Sequence, residues 1–260
     1  MNIDLSGKRA LVTGGNSGIG KAIVRALGEA GARVAVNYVA QPDAAEQLVS
    51  QLQENTIDAF AVKADVADAG QVHDMFREID DRWEGIDILV NNAGIDGGRS
   101  LSWEIEAADW KKVLDVNLIG AFQCSREALQ RMIPQKRGVI LNMTSVHEEI
   151  PWTGYSAYTA SKAGLSMLTR TLSQEAAPHQ VRVVALAPGA VKTPINKEVW
   201  SDPQNRKDLL EKIPLGRIGE TGDIAGIAVV LVSEVAGYVT GTTVFVDGGM
   251  TDYPDFSHGG

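Results

Sequence analysis

Short runs of Val, Ile, Leu and Ala alternate along the chain with longer segments whose apolar residues recur every three to four positions. The runs predict strands at residues 9–13, 33–36, 59–63, 86–91, 139–143, 181–186 and 243–246. The amphipathic segments predict helices at 18–30, 43–54 (with Pro42 close to the start), 68–83, 109–132, 156–177 and 221–232. Runs rich in Val, Ile and Leu and separated by helices point to a parallel sheet covered on both faces. The α/β rhythm therefore predicts one doubly wound, seven-stranded sheet, with residues 1–260 as a single domain. Residues 193–219 break the rhythm: they are polar and carry Trp200, Pro203 and Pro214, so they read as an insertion over the active site or as a plain surface loop. A tail follows at 250–260.

Composition narrows the function. With 44% hydrophobic and 22% charged residues, the 260-residue chain can build an ordered core. A net charge of −9 without clustered Lys or Arg argues against nucleic acid as a partner. Cys124 is the single cysteine, so no intrachain disulfide forms, and it reads as a small buried hydrophobe. Residues 1–8 hold no apolar leader, and no run approaches the ~18 apolar residues of a membrane span. A cytoplasmic soluble protein is expected, and no metal ligand set is assigned.

Candidate chemistry clusters at strand ends. Thr13-Gly14-Gly15-Asn16-Ser17-Gly18-Ile19-Gly20 follows the first strand and opens the first helix. In such a turn Gly14 permits the bend, Gly18 lets backbone approach a pyrophosphate, and Gly20 allows close helix packing, with free helix amides facing the phosphates. Asp65-Val66 ends the third strand, where a carboxylate can accept from an adenine amino group, and Asn91-Asn92-Ala93-Gly94 ends the fourth. Asp65 and Asn91 serve equally well as turn formers. Tyr158 and Lys162 are four residues apart, hence on one helix face, where an ammonium lowers a phenol pKa toward the working range. Ser145 can hold the oxygen that exchanges the proton, or cap a turn.

In order and spacing these residues resemble the short-chain dehydrogenase/reductase family over about residues 5–249: the glycine motif at 13–20, Asn-Asn-Ala-Gly at 91–94, Asn117, Ser145, Tyr158 with Lys162, and Pro188-Gly189 with Thr193. The resemblance implies a Rossmann-type fold and hydride transfer between a carbinol carbon and nicotinamide. It assigns Tyr158 as general base or acid, Lys162 as its electrostatic partner and a ligand of the nicotinamide ribose, Ser145 as the oxygen-orienting group, and Asn117 as holder of a water linking Lys162 to solvent. The implied cofactor contacts are Gly14, Asn16, Ser17, Gly18, Ile19, Gly20, Asn37, Tyr38, Asp65, Val66, Asn91, Ala93, Gly94, Tyr158, Lys162, Pro188, Gly189, Val191 and Thr193. Residues 147–152, 188–196 and 247–256 are similar to bacterial glucose 1-dehydrogenases. That likeness places Asp96, Ser145, His147, Trp152 and Tyr158 at the substrate; His147 fits equally a loop histidine bonded to backbone. Asp96 is one methylene shorter than the usual Glu, and residues 153–157 replace a bulkier stretch carrying a histidine, so a polyol or sugar is expected rather than glucose itself.

At the end of the second strand stands Asn37, which does not repel a 2′-phosphate, followed by Val39 where an Arg would attract one. No base stands at Gly15, Asn16 or Ser17. NAD(P) use is expected to be dual or weakly selective, with a slight lean to NADP. A 3-oxoacyl-thioester or other carbonyl reductase is the alternative enzyme. A non-catalytic dinucleotide-binding regulator is the remote one, since Tyr158 and Lys162 are both present. The family likeness also implies a homotetramer built through the two long helices and the last strand region, with residues 250–256 reaching a neighbour.

Overall fold

Alternating burial sets the sheet. In β1 (Arg9–Val12), Ala10 and Val12 enter one apolar cluster and Leu11 the other, so the strand is covered on both sides. The same holds in β2 (Arg33–Tyr38), β4 (Ile88–Asn91) and β5 (Gly138–Met143). With β3 (Ala59–Lys63), β6 (Val181–Pro188) and β7 (Thr243–Val246), they form one parallel sheet in the order β3-β2-β1-β4-β5-β6-β7 in this computed structural model, which describes residues 3–194 and 196–252.

The order reverses between β1 and β4, and such a reversal opens a crevice at the carboxyl ends of the strands. Helices α1 (Gly18–Glu29), α2 (Pro42–Glu54) and α9 (Thr221–Val232) cover the face lined by Val12, Val36 and Val90. Helices α3 (Ala69–Trp83), α5 (Gly120–Gln135) and α6 (Ser156–Ala176) cover the other, around Phe76, Cys124 and Leu172. Asp68 caps α3, accepting from Gly70 N at 2.8 Å and Gln71 N at 3.1 Å.

Two expectations are corrected. The helix expected at 109–132 is three pieces: α4 (Ala107–Leu114), a π-helical turn at Asp115–Ile119, and α5. A π turn inserts one residue between two otherwise regular helical stretches, a change of spacing too small to mark a boundary in the sequence. The strand expected from residue 86 begins at Ile88, the first residue in register with both β1 and β5. Residues 193–219 hold the short helices α7 (Lys197–Ser201) and α8 (Pro203–Leu210). Of the tail, residues 253–260 lie outside the described residues, and with them most of the segment expected to reach a neighbour. No helix among the described residues is long and apolar enough to cross a membrane.

Candidate active site

A cleft of about 700 Å³ runs along the carboxyl ends of the strands. Its walls bring together Gly14, Asn16, Ser17, Gly18, Ile19, Gly20, Asn37, Asp65, Val66, Ala93, Gly94, Asp96, Ser145, Trp152, Tyr158, Lys162, Pro188, Gly189, Val191 and Thr193. Four expected residues, Tyr38, Asn91, Asn117 and His147, stand outside that lining.

The glycine loop is shaped by backbone. Gly14 and Gly18 adopt φ of +59° and +52°, which side chains disfavour. A Cβ on Gly20 would strike Gly14 O and lie 2.5 Å from Asn92 Nδ2. A Cβ on Gly18 would touch Thr193 at 3.7 Å, so this glycine sets the loop against Thr193 where both line the cleft. The first amides of α1, which have no partner within the helix, stand at the cleft. That cradle fits a pyrophosphate.

Sequence reasoning missed the fastening of this loop. Asn92 Nδ2 donates to Thr13 O at 2.9 Å and Gly14 O at 3.1 Å, while Thr13 Oγ1 accepts from Asn92 N and Ala93 N. The adjacent Asn91 is buried instead, donating to Asn142 Oδ1 at 2.8 Å and Ser125 Oγ at 2.9 Å. In the Asn-Asn pair, strand alternation sends the first side chain under the sheet and leaves the second at the loop. Asn37 lines the cleft, but its amide accepts from Gly14 N at 3.2 Å and donates to Ala64 O at 3.0 Å, tying the loop to β3. Asn16 Nδ2 donates to Ala40 O at 2.8 Å, and Asp65 Oδ1 accepts from Ala67 N at 2.9 Å.

At the other end, Ser145 follows β5 and Tyr158 with Lys162 comes from α6. Small or short polar residues (Ala157, Ser161, Ser166, Thr169) let this helix sink onto the fold, which buries Lys162 to 5% exposure. Lys162 Nζ lies 5.6 Å from the Tyr158 ring centroid and donates to Met143 O at 2.7 Å. Burial draws the Lys162 ammonium down to about 8, against a pull upward from Glu148. Tyr158 departs from expectation. Burial pushes its phenol above the ordinary value, the Ser145 hydroxyl bond draws it down, and the Asp96 carboxylate pushes it up. The ammonium points to a carbonyl rather than to the phenol oxygen, so it does not outweigh desolvation.

Asn117 sits in the π turn. Its amide exchanges two bonds with the Ile95 backbone, both at 2.8 Å, and donates to Ser161 Oγ at 3.0 Å. Its two N–H groups are thus committed, one to the Ile95 backbone and the other to Ser161. His147 donates its backbone N–H to Ser145 Oγ at 3.2 Å, its Nδ1 is 3.0 Å from Ile150 O, and burial lowers its pKa. Trp152 lines the cleft at 39% exposure and stacks on Tyr155, a residue the sequence did not mark.

Asp96 acts on Tyr158 through charge. Its removal in Asp96→Asn is expected to move the phenol-dependent limb of the pH–rate profile acidward. An unmoved limb would deny that coupling.

A family model described as Enoyl-(Acyl carrier protein) reductase matches residues 14–251. The chain is 45% identical over 257 residues to 3beta-hydroxysteroid dehydrogenase 1 of Eggerthella lenta, spanning 98% of both chains. It is 38% identical over 252 residues to Glucose 1-dehydrogenase 2 of Bacillus subtilis, across 96% of this chain and 97% of that one. Among solved structures, a gluconate 5-dehydrogenase from Burkholderia cenocepacia J2315 in complex with NADP and tartrate matches with a TM-score of 0.91 at 35% identity, over 96% of this chain and 98% of that chain. Full-length similarity of this kind, joined to the glycine cradle and the Ser145, Tyr158 and Lys162 grouping, makes the chain a member of the short-chain dehydrogenase/reductase family, oxidoreductases that act on CH–OH groups with a nicotinamide cofactor.

Proposed function

We propose that the chain catalyses reversible hydride transfer between a secondary alcohol and NAD(P), with Tyr158 as the acid–base group. The observation that carries this reading is one continuous cleft with the glycine cradle at one end and Ser145, Tyr158 and Lys162 at the other. The nicotinamide, when bound, takes or gives the hydride. Tyr158 takes the hydroxyl proton in oxidation and returns it in reduction. Ser145 donates to the reacting oxygen, and the charge of Lys162 offsets the phenolate. Residues 14–20 and the start of α1 would hold the pyrophosphate, Asp65 and Val66 the adenine, and Ala93, Gly94 and residues 188–193 the nicotinamide half.

No carboxylate ends β2, so a 2′-phosphate meets no repulsion there, and Val39 offers it no cation. We infer dual or weakly selective cofactor use with a slight lean to NADP. Fluorescence titrations with NADH and NADPH are expected to give dissociation constants within about 100-fold of each other, or ~2.7 kcal/mol; a wider gap would refute weak selectivity. Exposed Phe122 on α5 and Met167 on α6 support a homotetramer packed through those helices.

Three classes compete for the alcohol. A sugar or polyol is favoured by residues 147–152 and by the Bacillus subtilis relative's name, and an acyl thioester by the family model's description. An apolar ring alcohol is favoured by the name of the Eggerthella lenta relative. Absorbance of the reduced nicotinamide over a panel of secondary alcohols and ketones tests the activity. Cofactor binding without turnover of any member would overturn it in favour of a regulator.

A further inference from the structure

The aromatic rings beside Tyr158 are arranged in a way that proton transfer does not require. Trp152 stacks on His147 with 4.4 Å between centroids and 10° between planes, and on Tyr155 with 3.8 Å and 22°. His147 and Tyr155 each stack on the indole and not on one another, so they cover its opposite faces. What Trp152 offers the cleft is its rim, set against the Tyr158 ring at 5.9 Å and 80°. The electron-rich face of an aromatic ring is the part that attracts the C–H side of a sugar. Both faces of this indole are already taken.

Polar side chains at this end are committed too. Asn196 Oδ1 accepts from Thr193 N at 2.9 Å and Thr193 Oγ1 at 2.8 Å, and its Nδ2 donates to Val191 O at 2.8 Å. The His147 ring lies outside the cleft lining, its Nδ1 turned to Ile150 O. Near Tyr158, capacity remains on Asp96, one of whose oxygens already accepts from Gly98 N at 3.1 Å, and on the Trp152 indole N–H, which donates no bond among the described residues. A polyol with five or six hydroxyls would therefore leave some of them without a protein partner, and each one buried so costs about 1–3 kcal/mol. A ring alcohol with one or two hydroxyls needs only the Ser145 and Tyr158 pair, with Asp96 for a second.

We propose that the clamped rim of Trp152 selects an apolar ring alcohol or its ketone, and that His147 is a positioning residue for the indole rather than a substrate ligand. The inference rests on the hydride-transfer reading above: the carbinol hydride passes to NAD(P)⁺ and the hydroxyl proton to Tyr158, leaving the ketone.

The test pairs turnover with binding. With wild-type enzyme and its preferred cofactor, 2-decalol is expected to show kcat/KM about 100-fold or more above D-glucose and sorbitol. Calorimetry on the enzyme with oxidised cofactor, where no hydride can pass, is expected to detect 2-decalone and not the sugars. His147→Phe, which keeps a flat ring on the indole, should hold KM for 2-decalol within about threefold, whereas His147→Ala raises it about tenfold with a smaller change in kcat. Equal or better turnover of a sugar, or no binding of 2-decalone, overturns the proposal and leaves hydride transfer standing. So does a loss in His147→Phe as large as in His147→Ala, since a ligand would be lost equally in both. Binding of 2-decalone without turnover supports the substrate class and overturns hydride transfer.

Discussion

Tyr158→Phe is expected to lower kcat/KM by about 10²–10⁴-fold, the usual contribution of a positioned acid–base group. The substitution removes one oxygen from a buried ring and leaves the ring's contact with Trp152 in place, so fold and cofactor affinity should be unaltered. Ser145 would remain to orient the reacting oxygen, and Lys162 would remain bonded to Met143 O. The loss should fall on the proton step, and the limb of the pH–rate profile that reports the phenol should vanish. Steady-state kinetics beside a fluorescence titration of the cofactor check this. A loss below about tenfold with intact cofactor binding would transfer the acid–base role to another group.

Arg9→Met is expected to cost about 3–5 kcal/mol of folding stability. Asp87 is 4% exposed, and its carboxylate accepts from Arg9 N, Nε and Nη2 at 2.7–3.1 Å. Arg9 also donates to Trp83 O, Glu84 O and Gln135 Oε1, closing the end of α3 against α5. Methionine fills much of the volume but strands the carboxylate, leaving it the half-exposed Arg137 at 3.1 Å. Burial pushes the Asp87 carboxyl up, and the bonds and charge of Arg9 more than reverse it, so its folded pKa lies below the unfolded value. Stability from this group is therefore present above the unfolded carboxylate range and is lost as pH falls through the folded value. Urea unfolding should show a large loss at neutral pH and a smaller one in acid, where Asp87 is neutral in both proteins. Arg9→Met with Asp87→Leu should recover part of the loss.

Much of the fold was legible because the central strands are buried on both faces and the long helices on one. Strand ends near Gly14, Asp65 and Gly94 were readable as ligand loops because open parallel sheets bind there. Less legible were the features set by tertiary contact. Strand alternation separates Asn91, under the sheet, from Asn92, but the Thr13 and Gly14 carbonyls that Asn92 fastens arrive from β1 and its loop. The spacing of Tyr158 and Lys162 puts them on one face, yet the direction of the ammonium depends on Met143 O, which arrives from β5. His147 and Trp152 looked like two independent substrate contacts, and the stack that joins them needs Tyr155, a residue without a motif.

The π turn at Asp115–Ile119 bears on how this protein can be engineered. Deleting one residue there would let α4 and α5 merge into a single regular helix with a full set of ordinary hydrogen bonds. The merged helix would rotate its preceding turn by about 100°, carrying Asn117 away from Ile95 and loosening the wall beside Lys162. A library screened for heat resistance alone would exert no selection for the chemistry that this extra residue serves. A screen that couples survival to turnover should keep the extra residue.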